Sequence, residues 1–556
     1  MAKMNFMDRA VAAVSPVQGL KRAAARRALE VTNSGYGNYG ANLTKKSLIG
    51  WLFRGGSAKE DIEDNIDTLR QRSRDAYMGI PTASAALKTL CTNVVAGGLI
   101  PSPQIDAEVL GLTREQAEEL QGKIMREFAL WADTTECDAD GLGNFYKLQQ
   151  LAYMGFLMNG DSFALLPFKE RPGSQYATKV QIIEADRICS PDGYDRLVPD
   201  YVRGRHVHSI VQGVETDEAG MVVAYWICNR HPHSSLAVQN GMLEWTRVEA
   251  YGAAGRHNVL HVMTRERAGQ LRGVPILAPV LETLKQLGRY TQAEIDAAVI
   301  SAYFTVLVKP AAVQTGLPVG QYIPKEAQVD SADPGSIEMG QGTILSLNPG
   351  DDVAFADPTH PNTAYNAFFD AMIKEIGAGM EIPPEVLEKQ FTQNFSAARG
   401  ALNEFWRVCD VKRDDFVDSF CQPIYEQFLA EAVARGRIQA PGFFSDPAIR
   451  KAYCACVWPG PARTSLNPVQ EVSAALQRVE AGFSTAQRET AEMTGGDYMR
   501  NMEQRMMEAE KMRQLREILN PAPPPAPTPE PQKEQEPPGD GKEEGDKTAE
   551  GGTGSA

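Results

Sequence analysis

The histidines are the first residues whose spacing suggests chemistry. In HNVLH, His257 and His261 stand four apart, the spacing by which one helix face offers two imidazoles to a metal ion. A hydrolytic centre of that kind also needs a carboxylate between them, as in HExxH, and here only Asn258, Val259 and Leu260 intervene in a run that reads as a strand. His206-Val207-His208 and His231-Pro232-His233 are local pairs with no evident third ligand. Cys454-Ala455-Cys456 is not CxxC, and no second cysteine pair completes a four-ligand zinc site. Ordinary core or surface residues are the simpler reading of each.

Nucleophiles and phosphate cradles fare no better. Ser162 in NGDSFALL lacks the GxSxG elbow that exposes a hydroxyl, and a turn into a strand explains it. The Gly-Lys pairs, Gly122-Lys123 and Gly541-Lys542, are not followed by Ser or Thr, so no GxxxxGK[ST] loop is present to bind ATP. GQG at 340–342 lies in a strand-like loop and opens no helix. The expectation is a chain with no catalytic set, no resident metal and no cofactor.

The elements that would position any site are mainly helical. At 556 residues the chain exceeds one hydrophobic core, so several domains or one elaborate protomer are expected. Residues 57–97 read as helix broken near Pro81, and TREQAEELQGKIMREFALWA (113–132) as a second helix. FYKLQQLAYMGFLMNGDSFALLPF passes from helix to strand across Asn159-Gly160-Asp161. From about 178 to 263 short β-like runs take over: VQIIEADRI, MVVAYWICN and NVLHVMTR. In 271–304 an apolar face recurs at Val280, Leu284, Leu287, Ile295, Ala298 and Ala302, which predicts a long helix with Pro279 in its first turn or at a kink. Residues 303–357 are strand-like and punctuated by Pro and Gly, 362–380 are helical again, and EIPPEVLEKQFTQ reads as a loop. A helix then starts at Ser396 and continues nearly to Gly436 through Leu402, Phe405, Cys409, Phe416, Phe420, Ile424 and Phe428. The fold class is α+β, mainly helical.

Charge and composition narrow the partners. The net charge is −15, yet residues 1–60 hold ten Lys/Arg against three Asp/Glu, a basic arm able to meet an acidic partner or simply to be solvated. From Asn520 the Pro-rich acidic tail has almost no large apolar residue and is expected to be disordered. Before it, GDYMRNMEQRMMEAEKMRQLREIL predicts a terminal helix with Met499, Met502, Met506, Leu515 and Leu519 at helical spacing. No apolar run is long enough to span a bilayer, Ser15 and Pro16 break the signal-like stretch near the start, and eight scattered cysteines fit reduced thiols in a cytosolic compartment.

RSRDAYMGIPTASAALKTLCTNVVAGG, VLHVMTRERAGQLRGVPILAPVLETLKQLGRYTQAEIDAAVISA, PPEVLEKQFTQNFSAARGALNEFWR and CQPIYEQFLAEAVARGRI together resemble the lambda-type portal proteins of tailed phages, in order over roughly 30–518. The resemblance implies a virion protein, assembled in the host cytoplasm, that forms a ring of usually twelve subunits at one capsid vertex. Double-stranded DNA would be packaged and ejected through it non-specifically. Terminase, major capsid and scaffold proteins and a head-tail adaptor would be its partners. It further implies a basic arm (1–56), wing (57–270), first stem helix (271–302), clip (303–357), second stem helix (358–380) and tunnel loop (381–395). A long wing helix and following segment (396–464), a helical crown (465–518) and the tail (519–556) complete it.

On that resemblance Glu385, Lys389, Gln390, Gln393 and Asn394 become candidates to face the channel. A conduit that passes any sequence needs a wall without tight phosphate contacts, which suits an acidic body. In NFSAARGALNEFW, Ser396 is expected to cap its helix, Ala397, Ala398, Gly400 and Ala401 to keep the first turns thin for a close neighbour, and Arg399 to pair across a subunit boundary or be solvated. Two other readings stay open: a metal-dependent DNA-processing enzyme whose carboxylates are not recognisable locally, and an adaptor or scaffold that forms no pore.

Overall fold

The computed structural model describes residues 55–519 apart from 192–195, 201–204, 236–240, 253, 304–306, 309–344, 347–364, 391–394 and 464–466. It also describes 6–19, 21–23 and 46–47. The chain divides into two compact units, Met1–Gly496 and Asp497–Ala556, a boundary that falls inside the expected crown segment.

Pro81 explains the first helical pair. Helix α1 (Ile66–Gly79) ends before it, and α2 (Pro81–Val94) begins on it, because proline lacks the N–H that a first-turn residue leaves unpaired anyway. The helix stops at Val94, three residues ahead of Gly97. Helix α3 (Arg114–Ala132) opens on a capping box, in which the Thr113 hydroxyl accepts the Gln116 N–H and the Gln116 side chain accepts the Thr113 N–H. Helix α4 (Phe145–Asn159) ends at left-handed Gly160.

Strand β1 (Asp161–Leu165) follows directly and lies between β2 (Gln181–Ile183) and β8 (Val259–Met263), antiparallel to both. A second sheet is an antiparallel meander of β3 (Arg196–Asp200), β4 (Arg205–Val211), β5 (Val214–Thr216), β6 (Val222–Cys228) and β7 (Trp245–Glu249). Of VQIIEADRI only β2 is strand; the rest turns through a short 3-10 segment at Ala185–Arg187. Phe163, Ile183, Ile188, Val214, Tyr225, Ile227 and Val259 form the small core that joins the two sheets.

Helix α5 (Leu281–Tyr303) begins after a 3-10 turn at Ala278–Val280 that contains Pro279, so the proline marks the approach to the helix and makes no kink within it. After α6 (Tyr365–Gly379) and the short α7 (Pro384–Glu388) come α8 (Phe395–Phe416) and α9 (Gln422–Ala434). The expected single helix to Gly436 is real but carries a π turn at Val417–Cys421. Pro423 gives the reason: it has no N–H to donate, and its ring needs room beside the carbonyl four residues earlier, which a widened turn supplies. Every apolar position expected on this helix, from Leu402 through Phe428, is buried.

The main core packs these helices against α3 and α4. Phe128 and Trp131 of α3, Phe145 of α4 and Tyr425 and Phe428 of α9 form one aromatic cluster, with Phe128 edge-on to Phe428 at 5.2 Å. Edge-to-face rings contribute about 0.5–1.5 kcal/mol beyond the area they bury. Helices α10 (Pro447–Cys454), α11 (Pro468–Glu480) and α12 (Ala486–Thr494) complete the first unit. In the second, α13 (Tyr498–Leu519) exposes Met499, Met506, Met507, Met512, Leu515 and Leu519 all round rather than along one face. No helix among the described residues is long and apolar enough to cross a membrane.

Candidate functional site

The two long helices α5 and α6 lie side by side, zipped by aromatic rings. Tyr290 stacks on Tyr365 at 5.7 Å and meets Phe368 at 4.6 Å. Val280, Leu284 and Leu287 of the expected stripe join the core with Ile373 and Ile376 of α6. Further along α5 the same stripe turns outward: Ala298 is exposed, and Ile295 and Val299 are 51% and 45% exposed.

The root of α5 is held by a buried ionic knot that the sequence did not reveal. Asp161, the first residue of β1, accepts from Arg272 Nε at 2.6 Å and from Arg70 Nη2 at 3.1 Å, all three side chains being buried. Arg272 also donates to the carbonyls of Ile188 (2.7 Å), Gln212 (2.5 Å) and Ala185 (2.9 Å), and Arg70 to that of Asn159 (3.2 Å). Burial by itself would raise the Asp161 pKa, but the two guanidiniums hold it far below the usual carboxylate range. Burial and the repulsion of Arg272 lower Arg70 to about 10. His261 stacks on Phe163 at 4.2 Å with Nε2 3.5 Å from Asp161 Oδ2, and burial lowers its pKa.

Two glycines let this knot close. A Cβ on Gly160 would lie 2.4 Å from the Gly273 carbonyl oxygen, and one on Gly273 only 1.9 Å from that of Gly160. The backbone leaving α4 is thus pressed on the backbone entering the α5 root, with Asp161 and Arg272 clamping the neighbouring residues.

The segment after α6 is built into the protomer over its first ten residues. Gly377 leaves room for the Ile382 carbonyl, which a Cβ would meet at 2.6 Å, and Ile382 N–H donates back to Gly377. Met380, Ile382 and Leu387 are core residues, and Glu381 pairs with Lys412 of α8 at 2.9 Å. What was expected as loop therefore contains α7, fixed by Leu387. Glu385 is half-buried on that helix, whereas Lys389, in the left-handed conformation at φ 57°, and Gln390 are exposed. Gln393 and Asn394 lie outside the described residues.

Helix α8 starts at Phe395, which puts Ser396 within its first turn rather than at the cap position expected of it. Arg399 is half-exposed and reaches Glu471 of α11 in its own chain at 3.9 Å, an ion pair at the limit of contact. Ala398 is buried. Gly400 has open space around its missing Cβ, so the thin turn accommodates no close neighbour among the described residues.

The residues first considered for chemistry are committed elsewhere. His261 lies in β8, where a four-residue step spans about 13 Å, too far for two imidazoles to share one ion. His208 Nδ1 contacts Glu215 Oε1 at 2.5 Å, and Glu215 also accepts from Arg247 and Trp226. Glu184, Asp186 and His231 bring ligand atoms within 4.8 Å of one another, but Arg74 already bridges both carboxylates as their cation. All eight cysteines are free, and burial pushes Cys454 and Cys409 up to about 12, which keeps them as inert thiols. Ser162 is buried in β1.

The family model of the lambda family of phage portal proteins matches residues 44–413, more than half of the chain. The chain belongs to the lambda family of phage portal proteins. Portal protein B of Escherichia phage lambda is 22% identical over 423 residues, covering 73% of this chain and 76% of the relative. The portal protein of Escherichia phage N15 is 22% identical over 502 residues, covering 86% and 90%. In outline the chain is also similar to a subunit from the neck of a native GTA particle, with a TM-score of 0.37, 13% identity and coverage of 77% and 92%.

Membership makes this a structural component of a tailed-phage virion at the head-tail connection, and DNA packaging and ejection through the portal follow as its role. The family match contains the ionic knot, both long helices and the segment 381–390 of this portal protein, and it ends inside α8. The knot was missed because NGDSF and LRGVP are separated by more than a hundred residues; the glycine preceding Asp161 and the one following Arg272 were the only local signs.

Proposed function

We propose that this portal protein forms a ring of twelve subunits at one capsid vertex, with α5 and α6 as the stem through which double-stranded DNA passes. The observation that supports the ring most directly is the outer half of α5. Ile295 and Val299 continue the apolar stripe into solvent, and an apolar stripe on a long helix calls for a covering surface. A neighbouring copy meets that need.

In this reading Glu385, Lys389, Gln390, Gln393 and Asn394 face the channel while Leu387 anchors their segment in the core, and the chain is divided into wing, stem, clip and crown. Most of the clip, 304–306, 309–344 and 347–357, lies outside the described residues, as does 358–364 at the start of the second stem segment. Terminase, capsid and scaffold proteins and a head-tail adaptor are its partners, with assembly in the host cytoplasm. The protein guides DNA and transforms nothing: the described histidines and buried carboxylates discussed above are engaged in structural contacts.

Electron microscopy of the purified protein tests the ring, because an axial hole with twelve-fold symmetry is required and a pore-free particle would remove the proposal. Incubation of the same sample with DNA and a divalent metal tests the enzyme alternative. Cleavage abolished by one carboxylate substitution would establish that alternative.

A further inference from the structure

Outside the stem and its root, a cavity of about 720 Å³ opens among the β1–β2 connection, the loop at 254–256, the end of α9 and the segment 443–450. That volume is within the range of sites that enclose a small ligand or an anchoring side chain. Ala430 and Ala434 of α9 line it with the buried Phe443, a small apolar patch in its wall. Phe168 and Phe444 line it from opposite stretches of chain while 61% and 66% exposed, an unusual placement for two phenylalanines around one hollow.

The charges around the cavity differ in how fully they are paired. Glu431 is saturated: it accepts the Ala177 and Thr178 N–H groups at 2.7 and 2.8 Å and Arg435 Nε at 2.6 Å. Arg435 extends toward Glu170 at 3.7 Å. Arg450 reaches Glu426 only at 4.0 Å, and its guanidinium lies 5.8 Å from the centre of the Phe443 ring. Arg256 lines the same hollow and has no carboxylate within ion-pair distance among the described residues. Two guanidiniums at an aromatic-walled hollow therefore retain capacity for anions.

We propose that this cavity docks an acidic segment of a partner protein, an aromatic side chain seating on Ala430 and Ala434 between Phe168 and Phe444 while flanking carboxylates meet Arg256 and Arg450. Guanidinium forks match carboxylates in two hydrogen bonds, and an aromatic anchor in a pocket is the usual centre of a binding hot spot. A single-stranded nucleic acid is disfavoured. The arginines at the hollow are interspersed with Glu170 and Glu431, so no continuous basic track is offered to a phosphate chain, whereas a pair of localised carboxylates needs only Arg256 and Arg450. The proposal is independent of the ring.

The test uses the full chain and a fluorescent capped peptide with one tryptophan between two pairs of glutamates. Anisotropy titration is expected to saturate, and Phe444→Ala and Arg450→Gln each to weaken binding at least five-fold. Both side chains are at least one-third exposed, and an unchanged melting temperature verifies the fold of each variant. The same peptide with lysines in place of glutamates is expected not to bind. Equal binding of the lysine peptide, unchanged affinity in both variants, or displacement of the acidic peptide by oligothymidylate at comparable concentration would overturn the proposal.

Discussion

Asp161 and Arg272 stand 111 residues apart in the chain, yet their side chains meet at 2.6 Å with both fully buried. One begins the central strand of the small sheet, and the other precedes the root of α5. The geometry joins the small sheet to the approach to α5 through a pair of charges that neither could keep in the interior alone. Removing one member leaves the other buried without compensation, which costs about 3–5 kcal/mol. Asp161→Asn is therefore expected to lower stability by that order in urea unfolding. Arg407→Ala, which breaks the exposed pair with Glu404 at 3.3 Å, should cost less than about 1 kcal/mol.

Acid sensitivity should begin at His261. Burial lowers its folded pKa below 6.5, so below pH 6.5 the unfolded chain binds a proton that the folded chain refuses. Stability is then complete above about pH 6.5 and falls as pH drops toward the folded value. The depressed carboxylates, Asp161, Asp186 and Glu431, contribute their own loss only as pH falls below their ordinary values near 4. Unfolding midpoints measured from about pH 7.5 to 5 should decline in the wild type and decline less steeply in His261→Gln. Parallel slopes would remove His261 from this role.

Gly160 and Gly400 make opposite predictions. Gly160→Ala forces a Cβ onto the Gly273 backbone at a residue with φ 87°, so soluble folded protein should be lost. Gly400→Ala enters open space within a helix and should raise protomer stability by up to about 1 kcal/mol. If a second subunit closes on that thin turn, the stabilised protomer will assemble poorly. Normal rings by sedimentation would show that the turn needs no clearance.

Arg399→Ala should change folding stability by less than about 1 kcal/mol, since its 3.9 Å pair with Glu471 is partly exposed. A defect confined to ring assembly would place Arg399 at a subunit boundary. Unchanged assembly and packaging would leave it as a surface arginine.

Lys389 separates a turn requirement from a channel role. Its φ of 57° suits glycine, so Lys389→Gly should preserve or slightly raise stability while removing the charge. A change in DNA packaging or retention in a folded variant supports a channel-facing Lys389. Deleting 386–392 would be a poorer experiment, because it also removes Leu387 from the core.

Helix periodicity, the Pro81 break and the apolar run from Leu402 to Phe428 were legible because each depends on residues a few positions apart. The stripe on α5 was legible as a pattern but not as an environment: Leu284 is buried and Ile295 exposed, though both occupy the same helical face. EIPPEVLEKQ read as loop because two prolines and short length hid α7, which exists by packing Leu387 and by the turn at Gly377. Arg399 lacked a readable partner since Glu471 is 72 positions away.

By itself the sequence determined the mainly helical α+β class, the order of its elements and, through blocks of local pattern in a fixed order, the family. Local propensity and apolar period are written in neighbouring residues, so one chain suffices to read them. Only the tertiary structure decided that Asp161, Arg70 and Arg272 form one buried knot, that Gly160 and Gly273 touch, and that Arg74 fills the space between Glu184 and Asp186. Those relationships join residues distant in sequence, and charge, hydrogen bonding and steric clearance act through space.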